Sequence, residues 1–512
     1  MLNLAAIFFI FSLLISSLFL LVKLAIAGRA AKPSLPESGP PTYPFIGCLF
    51  SFYRNRRRLL DWYTGLLAES PTQTIVIRRL GAEPVVVTAN PANVEYILKT
   101  NFGNFPKGKP FTDILGDLLG HGIFNVDGEL WASQRKLASH EFSAKSLREF
   151  VVRILEEEVE DRLLPLLQSA VDDDMIIDLQ DVLRRFAYDT ICKVSLGTDP
   201  RCLDFSRPAP PLVEAFETAA EICAARATAP IYAIWKIKRA LKIGSEKRLK
   251  EAVKIVRSSV EQIAANKKMQ QQQTSDRHGD KIDLLSRLVS SGHGGEMVRD
   301  MVVSFIMAGR DTTSAAMTWL FYSLTRNRAE EQKLVSEVEA TPFFSSYEAL
   351  KGMKYLHACL LESMRLFPPV AWDSKHAADD DVLPDGTRIK KGNRVTYFPY
   401  GMGRMETLWG ENRFRFEPDR WFEGTGDSKL LKAVSPFVFP VFQAGPRVCL
   451  GKEMALVQMK YVTASILRRF EFEPVLFDPP VFVPFLTAHM AGGFKVRVKE
   501  RTSQTLSKIT KF

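Results

Sequence analysis

The sequence predicts a mainly α-helical protein with a minor antiparallel β-sheet and an N-terminal transmembrane helix. Apolar residues recur at helical spacing from Trp131 through most of the chain. Two short β-branched runs, residues 74–77 and 84–88, are typical of a hairpin, and an Asp-Gly turn within residues 383–387 indicates a second one. A run without charge from residue 4 to residue 22 predicts the transmembrane helix.

The apolar N-terminal run continues past Lys23 to Ala27, which is enough for a spanning helix of ~20 residues. A cleaved signal peptide is the alternative, because residues 25–27 resemble a cleavage site. The start of the chain lacks a basic region, however, and the apolar core is too long. Basic residues follow the run, so the positive-inside rule predicts a single-pass anchor in the endoplasmic reticulum with a cytosolic body.

Three segments are therefore predicted along the chain. Residues 1–28 form the anchor, and residues 29–47, with five prolines, form a stiff, extended hinge that cannot be helical. Residues 48–512 form one catalytic domain, because no interior stretch has the composition of a long linker. Residues 266–280 contain four consecutive glutamines among polar residues and are predicted to be an exposed loop.

The charge pattern argues against nucleic-acid binding. The formal net charge is +10, but Lys and Arg are scattered, without a long basic run or a nucleic-acid motif. A membrane surface or an acidic protein partner fits this charge better. The six cysteines lie far apart without repeating spacings, which is typical of reduced thiols. The 35 Phe residues, against 12 Tyr, are enough to line a lipophilic cavity as well as to fill the core.

The strongest chemical signal is Cys449, which directly precedes a helix-prone run. A cysteine at a helix N-terminus meets backbone N–H groups and the positive end of the helix dipole, and both favour the thiolate. Gly445 and Gly451 allow a tight turn and a close approach of the backbone to a flat cofactor. Arg447 is a candidate partner for a haem propionate.

The spacing Phe442-x-x-Gly445-x-Arg447-x-Cys449-x-Gly451 resembles the haem-binding signature of the cytochrome P-450 superfamily. The resemblance implies a cytochrome P-450 fold and a haem-thiolate monooxygenase. Cys449 would be the proximal ligand of the iron of haem b (iron protoporphyrin IX), where a thiolate promotes O–O cleavage. No Cys-x-x-Cys-His occurs, so no thioether attachment of the haem is expected.

Residues 301–326 resemble the superfamily's central helix. If this helix crosses the distal haem face, Gly309 would make room for dioxygen, and Thr312 would divert a backbone hydrogen bond to widen the groove. Asp311 and Thr312 would relay protons. The alternative is that the polar Asp-Thr-Thr run has no function in the helix.

Further matches imply contacts to the haem and a buried charge cluster. Trp131 and Arg135 resemble the Trp-x-x-x-Arg of a helix that contacts a propionate. His376 is a second candidate donor, with an ordinary surface histidine as the equal alternative. Residues 416–421 resemble the element whose arginine completes a structural triad beneath the haem. That triad would consist of Glu362, Arg365 and Arg420, and its disruption would leave an uncompensated buried charge.

Residues 122–128, 134–142 and 402–406 resemble the plant branch that hydroxylates fatty acids at the terminal carbon. Residues 235–239 and 373–376 are most similar to the group that also contains jasmonoyl-amino-acid and steroid side-chain oxidases. The resemblance implies terminal (omega) hydroxylation of a fatty acid. The alternatives are end-carbon hydroxylation of a sterol side chain, as in steroidal saponin or alkaloid biosynthesis, and oxidation of jasmonoyl-amino acids. Gly401 stands where alanine is expected, a departure that should affect packing rather than chemistry.

No complete Gly-x-Gly-x-x-Gly dinucleotide motif occurs. By resemblance, electrons come from NADPH through the membrane-bound NADPH-cytochrome reductase, which would dock on residues such as Lys136, Arg447 and Lys452. A reductase-independent haem-thiolate isomerase or dehydratase and a haem sensor are the alternatives from other classes. Five segments are expected to contact the substrate, with Lys109 and His489 as candidate ligands of a carboxylate. These segments are residues 111–124, 215–231, 305–313, 370–373 and 485–490.

Overall fold

The computed structural model describes residues 38–501, except residues 45, 80–82, 144, 209, 230–231, 274–282, 291–293, 342, 344–345, 425–428, 477–479 and 485. Within these residues, no helix combines the length and the apolar character needed to cross a bilayer. The predicted anchor, residues 1–28, and the first part of the predicted hinge lie outside the described residues.

The described residues form a mainly helical body, as predicted. Its α-helices are α1 (Leu49–Asn55), α2 (Leu59–Glu69), α3 (Pro91–Glu95), α4 (Gly108–Leu119), α5 (Gly128–Ser143), α6 (Lys145–Glu158), α7 (Leu164–Asp172), α8 (Leu179–Leu196), α9 (Pro211–Ala227), α10 (Tyr232–Leu241), α11 (Ser245–Gln273), α12 (Leu284–Ser290), α13 (Gly295–Arg326), α14 (Arg328–Glu339), α15 (Tyr347–Gly352), α16 (Lys354–Leu366), α17 (Pro399–Met402), α18 (Glu406–Trp409) and α19 (Lys452–Arg469). Two π-helical turns (Tyr96–Thr100 and Val159–Leu163) continue α3 and α6.

The strands are short and form several small sheets. They are β1 (Thr74–Ile77), β2 (Val85–Thr88), β3 (Ile176–Asp178), β4 (Asp373–His376), β5 (Asp381–Val382), β6 (Arg388–Ile389), β7 (Arg394–Tyr397), β8 (Phe422–Glu423), β9 (Leu430–Leu431), β10 (Phe470–Pro474), β11 (Phe482–Pro484), β12 (Ala488–Met490) and β13 (Lys495–Glu500). The two predicted hairpins are confirmed as the antiparallel pairs β1–β2 and β5–β6.

The largest sheet has the order β1-β2-β7-β4. Strand β7 pairs antiparallel with β4 but parallel with β2, with Val85 opposite Arg394. The prediction of an antiparallel sheet is therefore wrong for this one pairing. Parallel pairing requires a long crossover connection, and about 300 residues separate the two strands here. A local pattern in the sequence cannot indicate such a contact.

Helix α13 forms the centre of the molecule and packs most extensively on α8. Most of its side chains are buried, among them Trp319, whose ring stacks on Phe367 with centroids 4.2 Å apart. A helix that is apolar on nearly all sides belongs in the core of a large domain. This burial determines the position of the residues between Gly309 and Thr313.

Two predictions about connecting segments are corrected. The described part of the hinge is not helical, but it turns back on itself, since Tyr43 and Gly47 exchange backbone hydrogen bonds of 2.9 and 3.0 Å. Helix α11 continues to Gln273, so the first half of the predicted loop at residues 266–280 is helical. Glutamine is a good helix former, and a helix extending beyond the body needs no apolar stripe.

Gly401 lies in α17, which packs against α2. A Cβ atom at this position would lie 2.5 Å from Cδ1 of Phe398 and 3.5 Å from a methyl group of Leu67. The space that alanine would need is thus filled by an aromatic ring. This contact explains the glycine as a matter of packing.

Candidate active site

The loop before α19 has a conformation that glycine makes possible. Gln443 and Gly445 both have positive φ angles, of 64° and 63°, and a Cβ atom on Gly445 would lie 2.0 Å from the carbonyl oxygen of Leu98. The N–H of Cys449 donates to the carbonyl of Phe442 at 2.8 Å and closes the loop. Gly445 thus allows the loop to pack closely against the backbone of Leu98. At Gly451, by contrast, the nearest atom to a Cβ position belongs to Phe142, 3.9 Å away.

Cys449 differs from the other five cysteines, because it is exposed and they are buried. The protein around Cys449 nevertheless removes bulk water, and this desolvation raises the pKa of its thiol. The backbone of Gly451 and the charges of Arg135 and Lys452 oppose the shift. The backbone contribution thus favours the thiolate, as expected, and burial acts in the opposite direction. Metal ligands must be deprotonated, so iron binding and loss of this proton are coupled.

Two basic side chains connect the thiolate loop to the rest of the protein. Arg135 of α5 donates to the carbonyl of Val448 at 2.6 Å. Arg447 donates to Asp127 at 2.7 Å and to the carbonyl of Val126 at 2.9 Å, and its guanidinium lies 4.6 Å from the centre of the Trp131 ring. Trp131 and Arg135 thus lie against the loop that carries Arg447. Contact of all three residues with one cofactor stays a prediction. Sequence reasoning missed Asp127 as the partner of Arg447.

His376 lies at the end of β4 and is buried, so the alternative of a surface histidine is wrong. Its Nδ1–H donates to the carbonyl of Lys107 at 2.6 Å, while Nε2 is buried without a hydrogen-bond partner among the described residues. Burial lowers the pKa of His376 to about 4, aided by the charge of Arg394. A carboxylate beside Nε2 would favour the charged imidazolium. The unpaired nitrogen therefore fits a propionate.

Lys375 is a further candidate for contact with a haem propionate, and the sequence analysis did not include it. Its side chain is 1% exposed, and its ammonium lies 4.0 Å from a carboxylate oxygen of Asp373. Burial lowers the pKa of Lys375 well below its usual range, and the neighbouring Lys107 adds to the shift. Burial thus favours the neutral amine, whereas an anion beside Nζ would favour the charged form. Its position next to His376 in β4 was the signal available in the sequence.

The central helix α13 contains Gly309, Asp311 and Thr312 as expected. The Thr312 hydroxyl donates to the carbonyl of Ala308 at 2.6 Å. The helix is continuous at this point, so the diverted backbone hydrogen bond stays a prediction. Asp311 is buried, with an oxygen 3.4 Å from Nε of Arg310. Arg310 in turn pairs with Glu217 of α9, which is 38% exposed. Asp311 is thus connected to the surface through charged side chains.

Gly309 allows close packing against a neighbouring helix. A Cβ atom at Gly309 would lie 2.5 Å from Cδ1 and 2.8 Å from Cγ1 of Ile191 in α8. The missing side chain therefore accommodates α8, and room for dioxygen at Gly309 stays a prediction. Close helix packing is the physical reason for a glycine in the middle of α13.

Replacement of Gly309 by alanine should destabilise the protein by about 1–3 kcal/mol, because the methyl group overpacks this contact. Urea unfolding of the haem-loaded protein measures the effect. The double variant Gly309→Ala/Ile191→Ala should lose less stability than the sum of the single variants. Gly295→Ala is the matched control, since nothing lies within 4 Å of its Cβ position in the first turn of α13. An additive double variant would contradict this account.

The structure joins Glu362, Arg365 and Arg420 in one buried cluster. Arg365 donates two hydrogen bonds to Glu362, each 2.8 Å long, and Arg420 donates a third of 2.8 Å. The indole of Trp421 and the backbone N–H of Glu417 also donate to Glu362, both at 2.9 Å. The last two donors were not foreseen, although both lie in the predicted segment 416–421.

The expected docking residues differ in exposure. Lys136 and Lys452 are exposed. The Arg447 side chain is only 10% exposed and is paired with Asp127, so it is unsuited to a surface contact, and this part of the prediction is wrong.

Of the two candidate carboxylate ligands, Lys109 is exposed. His489 is partly buried beside Asp311, whose charge opposes the lowering of its pKa by burial.

The residues around Cys449 fit haem. A lone exposed thiol, a glycine with open space beside it, an unpaired buried imidazole nitrogen and surrounding guanidinium groups match a flat, anionic iron porphyrin. Helix α13 contacts α19, and Phe305 of α13 shares an apolar cluster with Leu450, the neighbour of Cys449. Fold and site together define a haem-thiolate protein.

Comparison with known proteins agrees with this class. The family model Cytochrome P450 matches residues 37–487. Cytochrome P450 94B1 of Arabidopsis thaliana is 61% identical over 475 residues, which cover 92% of this chain and 93% of the relative. Cytochrome P450 94A1 of Vicia sativa is 45% identical over 469 residues, 91% of each chain. The chain belongs to the cytochrome P450 family, within the group that carries the number 94. It is a haem-thiolate monooxygenase that receives electrons from NAD(P)H through a reductase.

Proposed function

We propose that this protein hydroxylates the terminal (omega) carbon of a fatty acid, using NADPH and dioxygen. One observation carries the proposal. Four of the five segments expected to contact the substrate contribute to a single apolar cluster, which also contains Leu450 beside Cys449. The members from these segments include Phe111, Phe216, Phe305 and Leu486. The proposal is that side chains from these segments line the path of a long apolar chain that presents one end to the iron.

Haem bound through Cys449 supplies the activation of dioxygen and the insertion of one oxygen atom into a C–H bond. The protein itself would position the substrate and deliver protons. A primary C–H bond reacts only if the terminal methyl is held closer than the weaker internal C–H bonds. The apolar cluster would hold the chain and exclude water, while the carboxyl of Asp311 and the hydroxyl of Thr312 would deliver protons to the distal side.

Thr312→Ala should uncouple oxygen use from product formation. The variant loses the hydroxyl that moves the proton, so NADPH consumption should continue while product per NADPH falls several-fold and hydrogen peroxide appears. Product and NADPH are measured in the same incubation. Thr318→Ala is the matched control, because its buried hydroxyl makes the same bond to the residue four positions earlier, Ser314, at 2.8 Å. Unchanged coupling in Thr312→Ala would contradict the assigned relay.

The reductase is proposed to dock through its acidic surface on Lys136 and Lys452. Replacing both lysines by glutamate should weaken reductase affinity at low salt at least about tenfold, since long-range attraction becomes repulsion. Titrations with reductase at a low and a high salt concentration measure this affinity. Lys390→Glu, a reversal at a residue whose side chain is 73% exposed, is the control. Equal affinities for the double variant and the control variant would exclude this surface.

A substrate panel tests the proposed function. Microsomes that contain the full chain and reductase are incubated with fatty acids, jasmonoyl-amino acids and sterols, and products are identified by mass. A terminal hydroxy fatty acid is expected. Exclusive oxidation of a sterol side chain or of a jasmonoyl conjugate would replace the proposal by one of the alternatives. Product formation without NADPH and reductase would indicate an isomerase or dehydratase instead. The membrane anchor at residues 1–28 and the cytosolic orientation at the endoplasmic reticulum stay predictions.

A further inference from the structure

We infer that Glu217 positions Arg310 so that the carboxyl of Asp311 stays free to carry protons to the distal side. Glu217 would do so by holding the guanidinium of Arg310, which would otherwise close on Asp311 as a tight ion pair. The inference rests on the proton relay that the proposed function assigns to Asp311 and Thr312. It adds a positioning residue from α9, a helix that the sequence analysis connected only with substrate contact.

The Arg310 side chain is shared between two carboxylates. Its Nη2 donates to Oε1 of Glu217, and its Nε lies 3.4 Å from Oδ1 of Asp311. This Nε atom is buried and makes no hydrogen bond among the described residues. Arg310 therefore forms a close contact with Glu217 and only a loose contact with the carboxylate next to it in α13.

Burial makes this competition important. The side chain of Arg310 is 3% exposed and that of Asp311 is 8% exposed, so water screens their attraction poorly. A buried guanidinium without a counter-charge is strongly unfavourable. Among the described residues, Glu217 and Asp311 are the only carboxylates in ion-pair contact with Arg310. If Glu217 lost its charge, Asp311 would be the remaining partner.

The second arginine near Glu217 has a partner of its own. Nη1 of Arg184 in α8 lies 3.5 Å from Oε1 of Glu217, whereas its Nη2 lies 2.9 Å from Oδ1 of Asp181. Arg184 would thus keep a carboxylate if Glu217 were neutral. Loss of the charge at Glu217 therefore acts mainly on the pair of Arg310 and Asp311.

A tight pair with Arg310 would make Asp311 a poor proton carrier. Hydroxylation consumes one dioxygen, two electrons and two protons, and it yields one hydroxyl group on the substrate and one water. A carboxyl group that gives up a proton must take another from water before it acts again. A positive charge beside the carboxylate favours its charged form and opposes this step. The loose contact between Arg310 and Asp311 thus suits a group that transfers protons.

Glu217→Gln tests the inference in the full-length protein with reductase and dodecanoic acid. The variant should lower kcat about tenfold, a part of the ~10²–10⁴-fold that a positioned proton donor contributes, while KM stays near the wild-type value. The ratio of kcat in water to kcat in heavy water should rise at least about twofold, because proton transfer becomes slower. If Glu217 only contacted the substrate, its replacement would change KM and leave this ratio unchanged.

A second substitution should reverse the effect. Glu217→Gln/Arg310→Gln lacks the guanidinium that would bind Asp311, so kcat should recover to at least about half of the wild-type value. Neutralising both members of a buried pair also costs less stability than neutralising one. Glu214→Gln is the control, because Glu214 is exposed on the same helix and lies outside the predicted substrate segments. Rates are normalised to the carbon-monoxide spectrum, so loss of haem does not imitate slow proton transfer.

Asp311→Asn separates this inference from the relay itself. If Asp311→Asn lowers kcat and raises the isotope ratio but Glu217→Gln does neither, the inference is wrong and the relay stands. If the double variant is as slow as Glu217→Gln, Glu217 does not act through Arg310, and the inference again fails. If Asp311→Asn turns over like the wild-type protein, relay and inference fail together. Should a sterol or a jasmonoyl conjugate be the substrate, the same variants are compared with that compound.

Discussion

Replacing Cys449 by serine is expected to abolish hydroxylation and the thiolate-specific absorption band of the reduced, carbon-monoxide-treated protein. Serine keeps the size of the side chain and removes the soft, readily deprotonated sulfur that haem iron requires in this chemistry. Turnover should fall below about one hundredth of the wild-type rate, a loss of more than ~2.7 kcal/mol in transition-state stabilisation. Product formation by mass and the difference spectrum measure the two effects.

The control for this variant is Cys48→Ala. Cys48 is buried, lies outside the thiolate loop, and has its pKa raised chiefly by burial. The variant should keep the absorption band and at least about half of the activity, since a buried inert thiol contributes packing only. If Cys449→Ser retained the band or supported turnover at a rate near wild type, the assignment of the proximal ligand would be wrong.

The second large effect is expected for Glu362→Gln. Glu362 is fully buried and accepts hydrogen bonds from Arg365, Arg420 and Trp421. Glutamine has the same shape but no charge, so the buried Arg365 would lose its carboxylate partner, and Arg420 would keep only the half-exposed Glu417. Breaking a buried ion pair in this way costs about 3–5 kcal/mol. The urea midpoint, followed by tryptophan fluorescence and by haem absorption, should fall accordingly, and haem should be lost more easily.

Glu417→Gln provides the matched comparison. Glu417 also pairs with Arg420, at 2.9 Å, but its side chain is 45% exposed. Exposed pairs contribute between about 0 and 1 kcal/mol, so this variant should unfold almost like the wild-type protein. Equal losses in the two variants would show that the Glu362 cluster is no more important for stability than a surface pair.

The chemistry of the site was more predictable than its packing. The Cys449 loop and the pairing of Glu362 with Arg365 depend on residues close in sequence, so spacing and helical geometry sufficed. His376 could not be distinguished from a surface residue in the sequence, because its burial comes from Lys107 and β7, which are distant along the chain. The partner of Arg447 escaped prediction for the same reason, since Asp127 lies 320 positions away.

The packing around Gly309 could not be predicted from local pattern. In the sequence, a glycine inside a helix indicates only that a side chain is not tolerated there. The structure shows that Ile191 of α8 occupies the space, a contact between helices more than 100 positions apart. The parallel pairing of β2 with β7 is a similar case, because the two strands are about 300 positions apart.

Residue order alone established the class of chemistry, the haem-thiolate loop and the mainly helical fold, because these depend on short-range spacing. Tertiary packing decided the burial around Cys449, the neighbours of Gly309, His376 and Arg447, and the parallel pairing of β2 with β7. The physical reason is that burial and charge pairing act between segments that meet only after folding. Their energies depend on distance in space, which local sequence does not encode.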